Sequence, residues 1–145
     1  MYDFCFPATL TPDKKDGGFV VTFRDLPEAI TQGETLETAL AEAADCLEEA
    51  IANRIVMKLE VPRPSRAGKG QCPVAVPPVT AAKAALFLAM REARMNRRQL
   101  AKRLGVGETV IRRLLDPRQQ SKLADLRRAL AALGKQLVVQ VRDAV

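Results

Sequence analysis

Residues Arg97–Asp116, RRQLAKRLGVGETVIRRLLD, decide the architecture of the C-terminal half. Ala101, Gly105, Ile111 and Leu114 stand where a helix-turn-helix needs them. Ala101 is small enough for two helices to cross, Gly105 can take the positive φ of a tight turn, and Ile111 and Leu114 bury a second helix against the first. The punctuation predicts two short helices, Arg97 to Leu104 and Glu108 to Leu115, separated by Gly105, Val106 and Gly107 and stopped by Pro117. A plain αα-hairpin has the same apolar spacing, so the exposed positions carry the distinction. Gly107, Glu108 and Thr109 fall at the N-terminal tip of the second helix, with Arg112 and Arg113 one turn on, where side chains reach base edges or phosphates. Either arginine can pair bidentately with guanine. Glu108 accepts from cytosine N4 or stabilises its own helix N-terminus, the second being favoured. Arg97, Arg98, Lys102, Arg103 and Lys122 are assigned to phosphates, which supply affinity and register without sequence information. Arg97 stands where many such motifs begin their first helix with Gln, so a phosphate contact there is purely charge-based.

Working outward, Thr80 is expected to cap an Ala-rich helix reaching about Arg94, and Lys122 to Leu133 reads as another amphipathic helix stopped by Gly134. Leu137, Val138, Val139 and Val141 are expected to form a last strand. A single recognition helix seldom gives adequate affinity, which favours a dimer, or a higher oligomer, reading half-sites about 34 Å apart. The segment QLVVQV either pairs between subunits or covers its own helices.

Upstream, Tyr2 to Leu10 and Phe19 to Phe23 read as two strands joined by a turn at Lys14 to Gly18, and Ala29, Ile30 and Thr31 as a third, ended by Gly33. From Thr35, a plausible N-cap, Leu36, Ala39, Leu40, Ala43, Leu47, Ala50 and Ile51 recur as one buried helical stripe. Thr38 occupies the position at which a capping box prefers Glu or Gln. Lys58 to Val79 is a proline-rich and glycine-rich link, within which Cys72 to Val76 reads as a flanking strand. The result is a β-β-β-α-β domain over residues 1–78 followed by an all-α domain with a terminal strand over 79–145, an α+β chain in total.

The charge follows the same division. Met1 to Pro78 holds 8 Lys+Arg against 12 Asp+Glu, and Val79 to Val145 holds 15 against 5, a net of −4 and +10 within the overall +6. The second half is therefore the polyanion-binding candidate. Aromatic residues are 4% of the chain, which disfavours recognition by stacking on bases. The absence of histidine excludes Ser-His-Asp and Cys-His catalysis and His-containing zinc sites. Cys5, Cys46 and Cys72 form no CxxC pair and read as small hydrophobes in a reducing compartment. No catalytic residue, cofactor or metal site is expected, nor a membrane span or secretion signal, so the expected location is the cytoplasm.

Two segments, GGFVVTFRDLPEAITQGETLETALAEAADCLEEAI (17–51) and RRQLAKRLGVGETVIRRLLDPRQQSKLADLRRALAALGK (97–135), resemble the HicB-type antitoxins that carry a C-terminal helix-turn-helix. The order of the segments and the proline-rich link between them match as well. The resemblance implies a partial RNase H-like first domain that binds and blocks a HicA-type mRNA-cleaving ribonuclease, together with repression of the operon encoding the pair by binding double-stranded operator DNA. An acidic first domain suits a basic RNA-binding toxin, with Asp25, Glu28, Glu37, Glu42, Asp45 and Glu49 as candidate contacts, although such residues also serve as an ordinary solvated face. The acids lie in turns and on the helix rather than clustered on strands around metal, which argues against nuclease activity. The rival reading is a stand-alone repressor whose first domain senses a small molecule in a pocket with convergent polar groups.

Overall fold

The computed structural model describes residues 2–144, which divide into two compact units. The first comprises residues up to Asn53 together with Pro62–Pro77. The second comprises Arg54–Val61 and the residues from Pro78 onward.

In the first unit, strands β1 (Cys5–Pro12), β2 (Phe19–Phe23) and β3 (Ile30–Gly33) precede helix α1 (Leu36–Val56), of which the residues up to Asn53 belong to this unit, and strand β4 (Gln71–Ala75). This is the β-β-β-α-β order read from the sequence. The sheet is antiparallel, ordered β3-β2-β1-β4. Small and large residues alternate across it: Ala8 of β1 stands between Phe23 of β2 and Cys72 of β4, and Phe6 pairs with Val74. Phe6, Ala8, Val21, Phe23 and Val74 are buried, as are Ala39, Ala43, Leu47, Ala50 and Ile51 on one stripe of α1. Burying a side chain such as Leu47 or Ile51 contributes about 1.5–3 kcal/mol. The stripe begins one turn later than its apolar pattern implies, since Leu36 is 54% exposed in the first turn of α1. Pro73 lies in the edge strand β4, where a missing N–H costs least.

Two glycines set how closely this backbone packs. The β1–β2 turn is closed by Asp13, whose side chain accepts from the Lys15 and Asp16 amides, and Gly17 and Gly18 follow with φ of 76°. A Cβ on Gly18 would overlap the Gly33 carbonyl, and one on Gly33 would overlap the backbone of Ala39 and Thr38. Helix α1 therefore starts directly behind the end of β3. Thr35 and Thr38 make the reciprocal cap there. The Thr35 hydroxyl accepts from the Thr38 amide at 3.1 Å and the Thr38 hydroxyl accepts from the Thr35 amide at 3.0 Å, so Thr performs the role usually given to Glu or Gln.

The second unit contains α2 (Pro78–Glu92), α3 (Arg97–Leu104), α4 (Glu108–Leu115) and α5 (Leu123–Ala132). Helices α3 and α4 occupy the residues that the glycine and proline punctuation marks out. Helix α2 starts at Pro78, whose fixed φ and missing N–H suit a first helical position, so Thr80 is not its cap but a buried first-turn residue. Ala82, Ala85, Leu86, Ala89 and Met90 of α2, Leu100 and Ala101 of α3, Ile111 and Leu114 of α4, and Leu126, Ala129 and Leu130 of α5 are buried. Helix α2 packs on α4 and α5, and α3 packs on the same two. Arg54–Val61 belongs here: Val61 is buried, and the Leu59 carbonyl accepts from Arg91 at 3.4 Å.

The expected terminal strand is a correction. Among the described residues no strand follows α5, and residues 136–141 belong to no ladder. Val138, Val139 and Val141 are 73%, 74% and 91% exposed. β-propensity makes such a segment compatible with a ladder but supplies no neighbour, and a strand exists only when one does.

Candidate nucleic-acid interface

The α3–α4 pair is shaped by local chemistry. Asn96 and Gln99 form a full capping box at the start of α3, with the Asn96 side chain accepting from the Gln99 amide at 2.8 Å and the Gln99 side chain accepting from the Asn96 amide at 2.9 Å. Such a cap contributes about 1 kcal/mol. Gly105 ends α3 in the left-handed region (φ 68°), and the Val106 amide reaches back to the Ala101 carbonyl, as in a Schellman turn. Arg94 ends α2 the same way with φ of 51°, at a steric cost that glycine avoids.

Helix α4 then presents two faces. Ile111 and Leu114 point into the unit, while Glu108, Thr109, Val110, Arg112 and Arg113 are exposed. Gly107 precedes the helix in extended conformation and supplies no side-chain cap; its carbonyl accepts from the Val110 amide at 3.1 Å, and Glu108 stands in the first turn. Arg97, Arg98, Lys102 and Lys122 are exposed too. The residues assigned from sequence to nucleic acid, Arg97, Arg98, Lys102, Gly107, Glu108, Thr109, Arg112, Arg113 and Lys122, are thus all exposed. Arg103 is engaged otherwise, donating to the Ala132 carbonyl at the end of α5 at 3.1 Å. Beside it, Ala93, Arg94, Met95, Gln99, Lys102 and Arg103 line a shallow cleft of about 400 Å³, a basic recess at the start of α3.

Sequence reasoning missed Lys83. It lies on α2 with no exposed surface, its ammonium 3.0 Å from the Arg113 carbonyl, 2.7 Å from that of Asp116, 2.8 Å from that of Gln119 and 2.9 Å from the Ser121 hydroxyl. Burial pushes its pKa below the ordinary lysine range, and the Asp116 charge opposes that shift. The available signal was periodicity, because Lys83 falls three residues after Thr80 and three before Leu86 on the buried stripe of α2.

In the first unit the acidic candidates separate. Glu42, Asp45 and Glu49, at i, i+3 and i+7, share one exposed stripe of α1 on the side away from Ala39, Ala43 and Leu47. Glu37 is exposed to one side of that stripe, and Glu28 is exposed in the β2–β3 connection. Asp25 has a structural role: its carboxylate accepts from the Ser65 amide at 2.9 Å and from the Ser65 hydroxyl at 3.0 Å. Arg24 completes that clamp through the Ser65 hydroxyl and the Arg66 carbonyl. Cys46 donates to the Ile30 carbonyl, and burial pushes its thiol pKa up, which makes it a poor nucleophile. Among the described residues no three His, Cys, Asp or Glu side chains group to hold a metal ion, and no helix is long and apolar enough to cross a membrane.

Comparison with known proteins yields matches over nearly the whole chain. The family described as a HicB-like antitoxin of bacterial toxin-antitoxin systems matches residues 5–85. Antitoxin HicB of Escherichia coli K12 is 35% identical over 132 residues, which is 91% of this chain and 95% of that protein. Antitoxin HicB 1 of Photorhabdus laumondii is 33% identical over 136 residues, 94% of this chain and 86% of its own length. Antitoxin HicB of Pseudomonas fluorescens Pf0-1 is 30% identical over 141 residues, 96% of both chains.

Proposed function

Since the chain belongs to the HicB-like antitoxin family of bacterial toxin-antitoxin systems, we propose that it neutralises a HicA-type mRNA-cleaving ribonuclease with its first domain and represses its own operon with its second. In this reading residues 1–78 form a partial RNase H-like binding domain without catalysis, and residues 79–145 form a helix-turn-helix domain. The protein acts in the cytoplasm.

The observation that carries the DNA-binding part is the division of α4, with Ile111 and Leu114 inward and Thr109, Arg112 and Arg113 outward beyond an uncapped N-terminus. A helix so presented enters a major groove tip first. Arg112 or Arg113 then reaches guanine, Thr109 and the N-terminal tip of α4 meet the groove edge or a phosphate, and Glu108 steadies the helix N-terminus. Arg97, Arg98, Lys102 and Lys122 supply phosphate contacts. Two copies read two half-sites, and the unpaired residues 136–141 provide the strand through which they join, because each copy offers the ladder partner the other lacks.

For toxin binding, Glu42, Asp45 and Glu49 form the central acidic stripe, flanked by Glu37 and Glu28. Asp25 contributes through the shape of the loop it holds to Ser65 rather than as a free charge. The test is co-expression with the product of the adjacent gene. Growth rescue with a co-purifying complex is expected, and a chain that neither rescues nor co-purifies overturns the toxin-binding assignment.

A further inference from the structure

The C-terminal end of α4 is built around a cation that is part of the chain. The carbonyls of Arg113, Asp116 and Gln119 and the Ser121 hydroxyl converge on the Lys83 ammonium at 2.7–3.0 Å. Three N–H donors are shared among four oxygens, with no exposed surface on the residue. Two of these carbonyls, from Arg113 and Asp116, lie at the negative end of the helix, where a positive charge is favourable; each also accepts a backbone amide, from Asp116 and Gln119 respectively, so Lys83 is their second donor. The others belong to the connection leading to α5. One side chain from α2 thus fixes the last turn of α4 and the whole 116–121 connection, between the arginines of α4 and Lys122.

We infer that Lys83 is a positioning residue, a tethered cation in a four-oxygen cage that sets the direction in which α4 presents Arg112 and Arg113. Its effect on DNA rests on the DNA-binding reading above, whereas the cage itself does not. Cutting the side chain back to Ala removes three methylenes and the ammonium, the shape and charge of one n-propylammonium ion. The vacated cage then becomes a site for primary alkylammonium cations, whose N–H groups replace those of Lys83. A fully methylated ammonium has no N–H and cannot substitute.

The experiment uses the full-length chain with Lys83→Ala, in n-propylammonium chloride or tetramethylammonium chloride at equal concentration and ionic strength. Amide hydrogen exchange within 113–121 is expected to accelerate at least tenfold and to be slowed again by n-propylammonium only. Binding to DNA from upstream of the gene is expected to weaken at least tenfold and to recover with the same selectivity, while the wild-type chain treats the two salts alike. Unchanged exchange at 113–121, or equal recovery in both salts, overturns the cage. Faster exchange with undiminished DNA binding overturns the positioning role. Failure of the wild-type chain to bind DNA refutes the DNA-binding reading and the positioning role built on it, and the cage is then decided by exchange alone. Should Lys83→Ala not fold, Ser121→Ala removes one acceptor from the edge of the cage. It is expected to raise exchange at 113–121 several-fold, and no change there also overturns the proposal.

Discussion

Replacing Arg112 and Arg113 together with Ala separates the charge on α4 from its fold. Both side chains are exposed and neither makes a hydrogen bond within the described residues, whereas Ile111 and Leu114 keep the helix packed. Each substitution should therefore change folding stability by no more than about 0.5 kcal/mol, and the melting temperature should stay within a few degrees of the parent. On the proposed DNA-binding role, the expected effect on DNA affinity is much larger. A side chain bidentate to guanine is worth about 1–3 kcal/mol, so one lost base contact weakens binding by roughly 5- to 150-fold. A lost phosphate contact lowers the slope of log K against log salt by about 0.9, which makes the fall in affinity between 50 and 200 mM salt about 3.5-fold shallower per contact. The assay is fluorescence anisotropy on a labelled upstream fragment at several salt concentrations, with a scrambled fragment as control. If both arginines touch phosphates, the slope drops by about 1.8; if one reads a base, the slope drops by about half as much and discrimination against the scrambled fragment falls. An unchanged affinity and slope would refute the assignment of α4 as the DNA-reading helix.

Three further outcomes follow from particular contacts. Gly33→Ala places a Cβ against the backbone of Thr38 and Ala39, which has no side chain to give way, so it should cost about 1–3 kcal/mol or more and lower the melting temperature of the first unit; Gly105→Ala meets nothing within 4 Å and should cost only the left-handed strain of about 1–2 kcal/mol in the second. Asn96→Ala breaks the α3 capping box and should cost about 1 kcal/mol in urea unfolding, with part of the loss recovered by Asn96→Ser. On the proposed dimer, truncation after Lys135 removes the exposed Val138, Val139 and Val141 and should leave a monomer in sedimentation where the full chain is a dimer, and a truncated chain that still dimerises would assign the interface elsewhere.

Helices α3 and α4 were readable to the residue because what bounds them is local: Gly105 and Gly107 in the turn and Pro117 beyond the end. Helix α1 was readable from periodicity, and the β-β-β-α-β succession of elements from strand-rich runs between turn clusters, for the same reason. Lys83 was not, because the four oxygens around it come from residues 30 to 38 positions away and have no pattern in common. Asp25 looked like any turn carboxylate until the chain returned 40 residues later with Ser65.

By itself, then, the sequence determined the elements whose signals lie within about one helical turn or one strand: the Thr35 cap, the left-handed Gly105, apolar stripes, and the charge difference between the halves. Tertiary structure alone decided that Leu36 stays exposed while the stripe of α1 begins at Ala39, that Gly33 admits no side chain, and that Arg54–Val61 joins the helical unit. It also left Val138, Val139 and Val141 without a ladder and turned Lys83 into an internal cation. Each of these depends on which distant groups the fold brings within a few ångströms. Burial, steric overlap and hydrogen bonding act at that range, whatever the separation along the chain.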